Sequence, residues 1–405
     1  MSVSSERLAV DGGAPIRSTP FPRWPHYAED EVAIVSDVLR SGRVNYWTGE
    51  ETGLFESEYA ERVGRKHAIA LANGTLALEL GLRSLGLQPG DEVIVTSRSF
   101  VASASAIVLC GGRPVFVDVD PHSQNMSAET IVPAITGRTR AVVVVHLAGW
   151  PCDMDDIMAL ARKHDLFVIE DCAQAHGATY RGKPVGAFGD MAAFSFCQDK
   201  IITTCGEGGM LLLDDTERWK EAWAHKDHGK SYDAVHNTQH PEGFRWLHES
   251  IGTNWRITEL QSAVGRLQLR KLESWVAHRR DVAATYSERF ADVPGLATTV
   301  PGEDVHHAYY KYYVSVDPAA LRPGWDRTRI LAAVRAEGVP CFAGSCPEIY
   351  REKAFPSAHQ PVTRHPVAQD LGERSLMLET HPSLGERDVD DTCRAVERVL
   401  QAAAK

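Results

Sequence analysis

From His67 onward the chain alternates short apolar runs with stretches of helical periodicity, and this alternation leaves few folds open. His67–Ala72, Glu92–Thr96, Pro114–Val119, Ala141–His146 and Leu166–Glu170 are predicted strands, with predicted helices over Thr75–Leu85, Val101–Leu109 and Asp153–His164. The strands are rich in Val and Ile and apolar on both faces, as a largely parallel sheet covered by helices requires. Two further strands are expected over Met191–Phe196 and Gly209–Asp214. The plan is α/β and doubly wound, and ligands on such sheets bind at the carboxyl ends of strands. Asn73 and Asp171 fall at two such ends.

The flanks complete the outline. A Pro/Gly-punctuated arm leads to a predicted helix over Glu29–Arg40, stopped by Gly42. After the turn Gly252–Arg256 a long helix is expected over Thr258–Phe290, followed by a strand at Tyr309–Val316 and helices near Thr328–Glu337 and Glu386–Ala403. A chain of 405 residues exceeds one simple core. We therefore expect residues 1–257 to form the arm and a large α/β domain, and residues 258–405 the linking helix and a smaller C-terminal α+β domain. The net charge of −11 argues against a nucleic-acid binder. Eight scattered Cys without a CxxC pair, no signal peptide and no long apolar run lead us to expect reduced thiols, a cytoplasmic location, no membrane span and no metal.

The chemistry concentrates between Phe167 and Gly209. An apolar run ends in Glu170-Asp171 and is followed by Cys172-Ala173-Gln174-Ala175-His176-Gly177; then come Phe194-Ser195-Phe196, Lys200 and Gly206-Glu207-Gly208-Gly209. A carboxylate ending a buried strand, a Ser and a Lys in an apolar setting form the set that a pyridoxal phosphate (PLP) enzyme needs. The aldehyde takes a Lys amine, the pyridinium nitrogen takes an acid partner, and the phosphate takes hydroxyl and backbone donors.

Each residue also has a plainer role. Lys200 sits between Phe196 and Ile201-Ile202, where burial would make its amine a nucleophile, although most lysines are solvated. Asp171 could equally cap a helix. Asn73-Gly74-Thr75 closes a strand and opens a helix, as an anion site or simply a capped turn. Ser195 is a second phosphate ligand or a strand Ser, and Phe100 a stacking ring or a core residue. The Gly-Glu-Gly-Gly run precedes a strand, so it is not a dinucleotide loop.

In this order the residues resemble the sugar aminotransferases of fold-type I PLP-dependent enzymes, the DegT/DnrJ/StrS group. Asn73-Gly74-Thr75, Gly90–Val95, Pro114–Asp120, Val145-His146-Leu147, Glu170–Gly177, Phe194-Ser195-Phe196 with Lys200, Gly252–Arg256 and His381-Pro382 carry the likeness across nearly the whole chain. It implies that Lys200 forms the Schiff base and Asp171 faces the pyridinium nitrogen. It assigns Gln174 to the phenolate oxygen, Gly74, Thr75 and Ser195 to the phosphate, and Phe100 to ring stacking. Asn254 matches an Asn that reaches the neighbouring subunit's cofactor, which implies a homodimer with shared active sites. Cys205 departs from the pattern, standing where many relatives have Gly.

The resemblance further implies ping-pong transfer of an amino group from L-glutamate or L-glutamine to a keto-sugar, either a nucleotide-linked keto-sugar or a keto-inositol. Dehydratases of the group have His at the position of Lys200, which favours transamination here. An aminohydroxybenzoate-synthase-like activity, a dehydratase and a PLP-binding regulator without turnover are the alternatives. Arg256, Lys226, His228, Lys230 and His307 are candidates for the acceptor pocket, with solvated surface roles equally open.

Overall fold

The computed structural model describes residues 7–405; the first six residues of the predicted arm lie outside the described residues. Seven strands form the central sheet: β1 (His67–Leu71), β2 (Glu92–Thr96), β3 (Arg113–Val117), β4 (Thr139–Val145), β5 (Phe167–Asp171), β6 (Met191–Ser195) and β7 (Gly209–Leu213). Their spatial order is β1-β7-β6-β5-β4-β2-β3. The β6-β5-β4-β2-β3 pairings are parallel, while β7 runs antiparallel to both neighbours. Strand β5 ends beside β6 in the register Asp171↔Ala193, so the acid and Ser195 leave the sheet at the same edge. The interior strands are covered on both faces, which is why they read as continuous apolar runs rather than alternating ones.

The local signals behave as their chemistry requires. Gly42 ends the helix Glu29–Ser41 in the left-handed region at φ 70°. Thr258 and Gln261 form a reciprocal capping box at the start of the helix Glu259–Phe290. That helix spans two cores: Leu272 and Val276 pack with Phe55, Phe194 and Phe196, whereas Val282, Tyr286 and Phe290 pack with the C-terminal cluster.

The C-terminal cluster is built on a three-stranded antiparallel sheet, Leu296–Thr298, Tyr312–Val316 and Ser375–Leu378, with helices Arg327–Ala336 and Glu386–Ala403 packed against it. The N-terminal arm joins this cluster, since Leu8 is buried within it and Ile16 and Phe21 pack against it. Helices Glu51–Val63, Thr216–Lys226 and Pro366–Arg374 complete the fold with elements the sequence reading does not name. All eight Cys are free thiols. No helix among the described residues is long and apolar enough to cross a membrane.

Candidate active site

A cavity of about 990 Å³ opens at the carboxyl ends of β1, β5 and β6. Asn73, Gly74, Thr75, Phe100, Asp171, Gln174, Ser195 and Lys200 all line it. These residues lie up to 127 positions apart (73 to 200) and converge because the parallel strands deliver their ends to one edge.

Asp171 is buried in the cavity wall. No helix follows it, so it caps none; its Oδ1 accepts the Ala173 N–H at 3.2 Å and its Oδ2 accepts the Ser103 hydroxyl at 2.7 Å. Burial raises its pKa above the usual carboxylate range, partly countered by those two hydrogen bonds and by His146 and Lys200. A buried acid of this kind suits a cationic N–H partner.

At the rim, Asn73 caps the helix Gly74–Arg83, with Oδ1 accepting the Leu76 N–H at 3.0 Å. Gly74 crosses so close to Ser195 that a Cβ on it would lie 2.5 Å from the Ser195 Cβ. The backbone of Gly209 presses equally hard on β1: a Cβ there would meet the Asn73 carbonyl oxygen at 2.3 Å. The glycines thus bring two strand ends and a helix N-terminus together as an anion cradle. His176 supports it from below, with Nε2 donating to the Ser195 carbonyl at 2.8 Å and Nδ1 accepting the Tyr59 hydroxyl at 2.7 Å.

Lys200 presents a side chain 16% exposed, with Nζ 3.3 Å from Asp199 Oδ1 and 3.4 Å from the Tyr310 hydroxyl. Trp24 of the arm donates its indole N–H to the Lys200 carbonyl at 2.9 Å, fixing the loop backbone. Phe100 is 65% exposed and lines the cavity, so it is a platform rather than a core residue. Gln174 lines the same space, and its Oε1 accepts the Ala148 N–H at 2.7 Å. A cradle for an anion, a buried acid, an exposed aromatic face and a convergent Lys fit PLP in charge and chemistry. The Lys loop also holds Cys205, exposed and at φ 60°, a backbone conformation that favours the Gly expected there.

Arg256, Lys226, His228, Lys230 and His307 do not line this cavity. Arg256 and Lys230 both pair with the buried Asp227, and Lys230 also lies 4.1 Å from the centre of the Trp47 ring. Lys226 is fully buried, 3.7 Å from the centre of the Tyr46 ring, and burial lowers its pKa to about 8. His228 is exposed at φ 57°. His307 is buried and stacked on Tyr309 at 3.8 Å, and burial depresses its pKa to about 3. Asn254 also lies outside the cavity and bridges to Asp227 through its backbone.

The sequence reading misses Ser99, Ser103, Asp199, Glu207, Tyr310, Lys311 and Tyr313, all of which line the cavity. Ser99, in the turn before the helix Ala102–Leu109, and Ser103, within it, bring their hydroxyls to 2.9 Å, and no local pattern marks the pair. Lys311 pairs with Glu379 at 3.7 Å, and burial lowers its pKa. His146, Glu170 and Cys172 cluster within metal-ligand reach of one another, but their polar atoms are engaged. Glu170 accepts the N–H groups of Gly186, Phe188 and Gly189 and pairs with His146 at 3.2 Å, and His146 Nδ1 accepts the Cys152 N–H. Burial also raises the Cys172 thiol far from thiolate.

The chain is similar to known proteins over most of its length. The chain is 35% identical over 383 residues to the spore coat polysaccharide biosynthesis protein SpsC of Bacillus subtilis, covering 94% of this chain and 96% of that one. It is 38% identical over 348 residues to GDP-perosamine synthase of Caulobacter vibrioides, covering 85% and 89% respectively. The crystal structure of an aminotransferase from Psychrobacter cryohalolentis superposes with a TM-score of 0.93 at 50% identity, covering 95% of this chain and 99% of that one. A family model matches residues 25–397, and the chain accordingly belongs to the DegT/DnrJ/EryC1/StrS aminotransferase family of PLP-dependent enzymes.

Proposed function

We propose that this aminotransferase holds PLP on Lys200 and moves an amino group from L-glutamate or L-glutamine to a nucleotide-linked keto-sugar in two ping-pong half-reactions. The observation that carries the reading is the Lys200 amine facing a cavity that also holds the buried Asp171 and the Gly74–Ser195 cradle. PLP, when bound, supplies an electron sink for the bond made and broken at the substrate carbon. Asp171 holds a proton on the ring nitrogen, Gln174 meets the phenolate oxygen, and Phe100 stacks on the ring. Gly74, Thr75 and Ser195 bind the phosphate. The Lys200 amine would move a proton between the substrate carbon and the aldehyde carbon of the cofactor, as base and then acid in the donor half-reaction and in the reverse direction with the acceptor. The cavity, at about 990 Å³, has room for a substrate larger than an amino acid beside the cofactor.

A nucleotide-linked acceptor is supported by the relative named GDP-perosamine synthase, in preference to a keto-inositol. The position of Asn254, outside its own cavity, supports a homodimer in which it serves the partner's cofactor. The division into residues 1–257 and 258–405 is part of the same proposal, with the arm lying along the C-terminal core.

The test is direct. Incubation with PLP followed by borohydride should add the reduced cofactor to the Lys200 peptide, and the loaded protein should convert glutamate to 2-oxoglutarate. An unmodified Lys200, or a fully active Lys200→Ala variant, overturns the reading.

A further inference from the structure

One group of polar side chains in the cavity has no part in cofactor binding or substrate contact as described above. Asp199 precedes Lys200 in the chain, and its side chain is 54% exposed, yet its two oxygens are both engaged. Oδ1 lies 3.3 Å from Lys200 Nζ, and Oδ2 accepts a hydrogen bond from the Tyr310 hydroxyl. The Tyr310 oxygen is itself 3.4 Å from the same Nζ, which also lies 5.0 Å from the centre of the Tyr310 ring. Lys200, Asp199 and Tyr310 therefore close a three-membered polar ring at the cavity wall.

The ring is anchored to the frame. Tyr310 is buried; its N–H donates to the Ala148 carbonyl at 2.8 Å, and its own carbonyl accepts from Arg279 at 3.2 Å. The N–H of Ala148 in turn donates to Gln174. Burial, followed by the Asp199 charge, keeps the Tyr310 hydroxyl protonated, so it is the donor in its bond with Asp199. Burial works against ionisation of Asp199, but the Lys200 charge and the Tyr310 hydroxyl outweigh it and hold the carboxyl below its usual range. Asp171, Arg279 and Lys311 are the other charged side chains that act on this corner, with His176 behind it.

We propose that Asp199 and Tyr310 are positioning residues that dock the Lys200 amine whenever it is not engaged with the cofactor. This rests on the reading of Lys200 given above. A Lys side chain has many rotamers, so an amine released into an open cavity disperses over many positions. A fixed carboxylate and a fixed phenol return it to one position within reach of the reacting carbon, which preserves orientation between proton transfers.

The test uses the full-length chain without cofactor, labelled with trinitrobenzenesulfonate and read peptide by peptide in a mass spectrometer. Exposed Lys163 is the reference, and fully buried Lys226 reports any loss of folding. The charge-assisted hydrogen bond to Asp199 must break before the amine can meet the reagent, so Asp199→Asn should raise Lys200 labelling relative to Lys163 by about tenfold. Tyr310→Phe, which loses only the hydroxyl, should raise it about threefold through loss of the bond that fixes Asp199. Lys200 labelling that is unchanged in both variants, with Lys226 still protected, overturns the dock. Borohydride trapping of PLP on Lys200 in the same wild-type preparation separates the two failures. Trapping with no change in labelling rejects the dock alone; absence of trapping rejects the underlying reading and the dock with it.

Discussion

The Ser103 hydroxyl donates to Asp171 Oδ2 at 2.7 Å, and this bond ties the helix Ala102–Leu109 to the carboxyl end of β5. Ser103 is itself held by Ser99, so two hydroxyls in series orient the acid. Because burial raises Asp171 out of the usual carboxylate range, each donor that favours its ionised form counts. Ser103→Ala removes one donor and leaves a buried acceptor unpaired, at a cost of about 1–2 kcal/mol. The expected outcome is PLP affinity weakened about tenfold, read by equilibrium titration, with the thermal midpoint little changed. Undiminished affinity would mean that the Ala173 N–H alone holds the carboxylate.

The Gly74–Ser195 approach makes a second prediction. A methyl group at position 74 would lie 2.5 Å from the Ser195 Cβ and 3.0 Å from its Cα, so the strand or the helix must shift. Overpacking of this kind costs about 1–3 kcal/mol. Gly74→Ala should lower the unfolding midpoint in urea and, by displacing the helix N-terminus, weaken binding of the cofactor phosphate more than that of pyridoxal without phosphate. Equal losses for the two ligands would count against a phosphate cradle here.

Two buried histidines set an acid limit on stability. Burial holds His176 at a pKa of about 4 and His307 at about 3, against 6.5 for an ordinary His. Between pH 6.5 and about 4 the unfolded chain binds protons at these positions and the folded chain does not. Stability therefore rises with pH across this window and falls as the solution is acidified through it. Each His contributes a loss on the order of 2–3 kcal/mol by pH 4. Urea unfolding measured from pH 7 to 4.5 should show this slope, and a His307→Gln variant should flatten it. An unchanged slope in that variant would show that His307 does not titrate abnormally.

Much of this was legible in the sequence, for identifiable reasons. Strands β2 and β5 show as apolar runs because both faces are covered, and the site residues at their ends follow from that pattern. The Asp171, Gln174 and Lys200 set was readable because its members are close in the chain. Tyr310 and Lys311 were not, since they stand 110 and 111 residues beyond Lys200 and meet it only through the fold. The cations Lys226, Lys230 and Arg256 show the opposite difficulty. The sequence offers them as candidates for the acceptor pocket or as solvated surface cations, but the charge that faces Lys230 and Arg256 is the buried Asp227, which no local pattern marks.

That pairing supplies the last prediction. Asp227 is fully buried, with Arg256 and Lys230 on Oδ1 and no hydrogen-bond partner for Oδ2 among the described residues. Removing one partner of a buried ion pair leaves an uncompensated charge, which costs about 3 kcal/mol or more where nothing else remains. Here Lys230 remains at 3.2 Å, so Arg256→Met should destabilise the chain by about 2 kcal/mol. Asp227→Asn in the same chain removes the under-compensated carboxylate but leaves Lys230 without its partner, so the double variant should recover part of the loss. Urea denaturation of the two single variants and the double variant closes the cycle. A double variant no more stable than Arg256→Met would show that the Arg256 side chain acts by packing, on a backbone that the Leu71–Arg256 bridge ties to β1, rather than by neutralising Asp227.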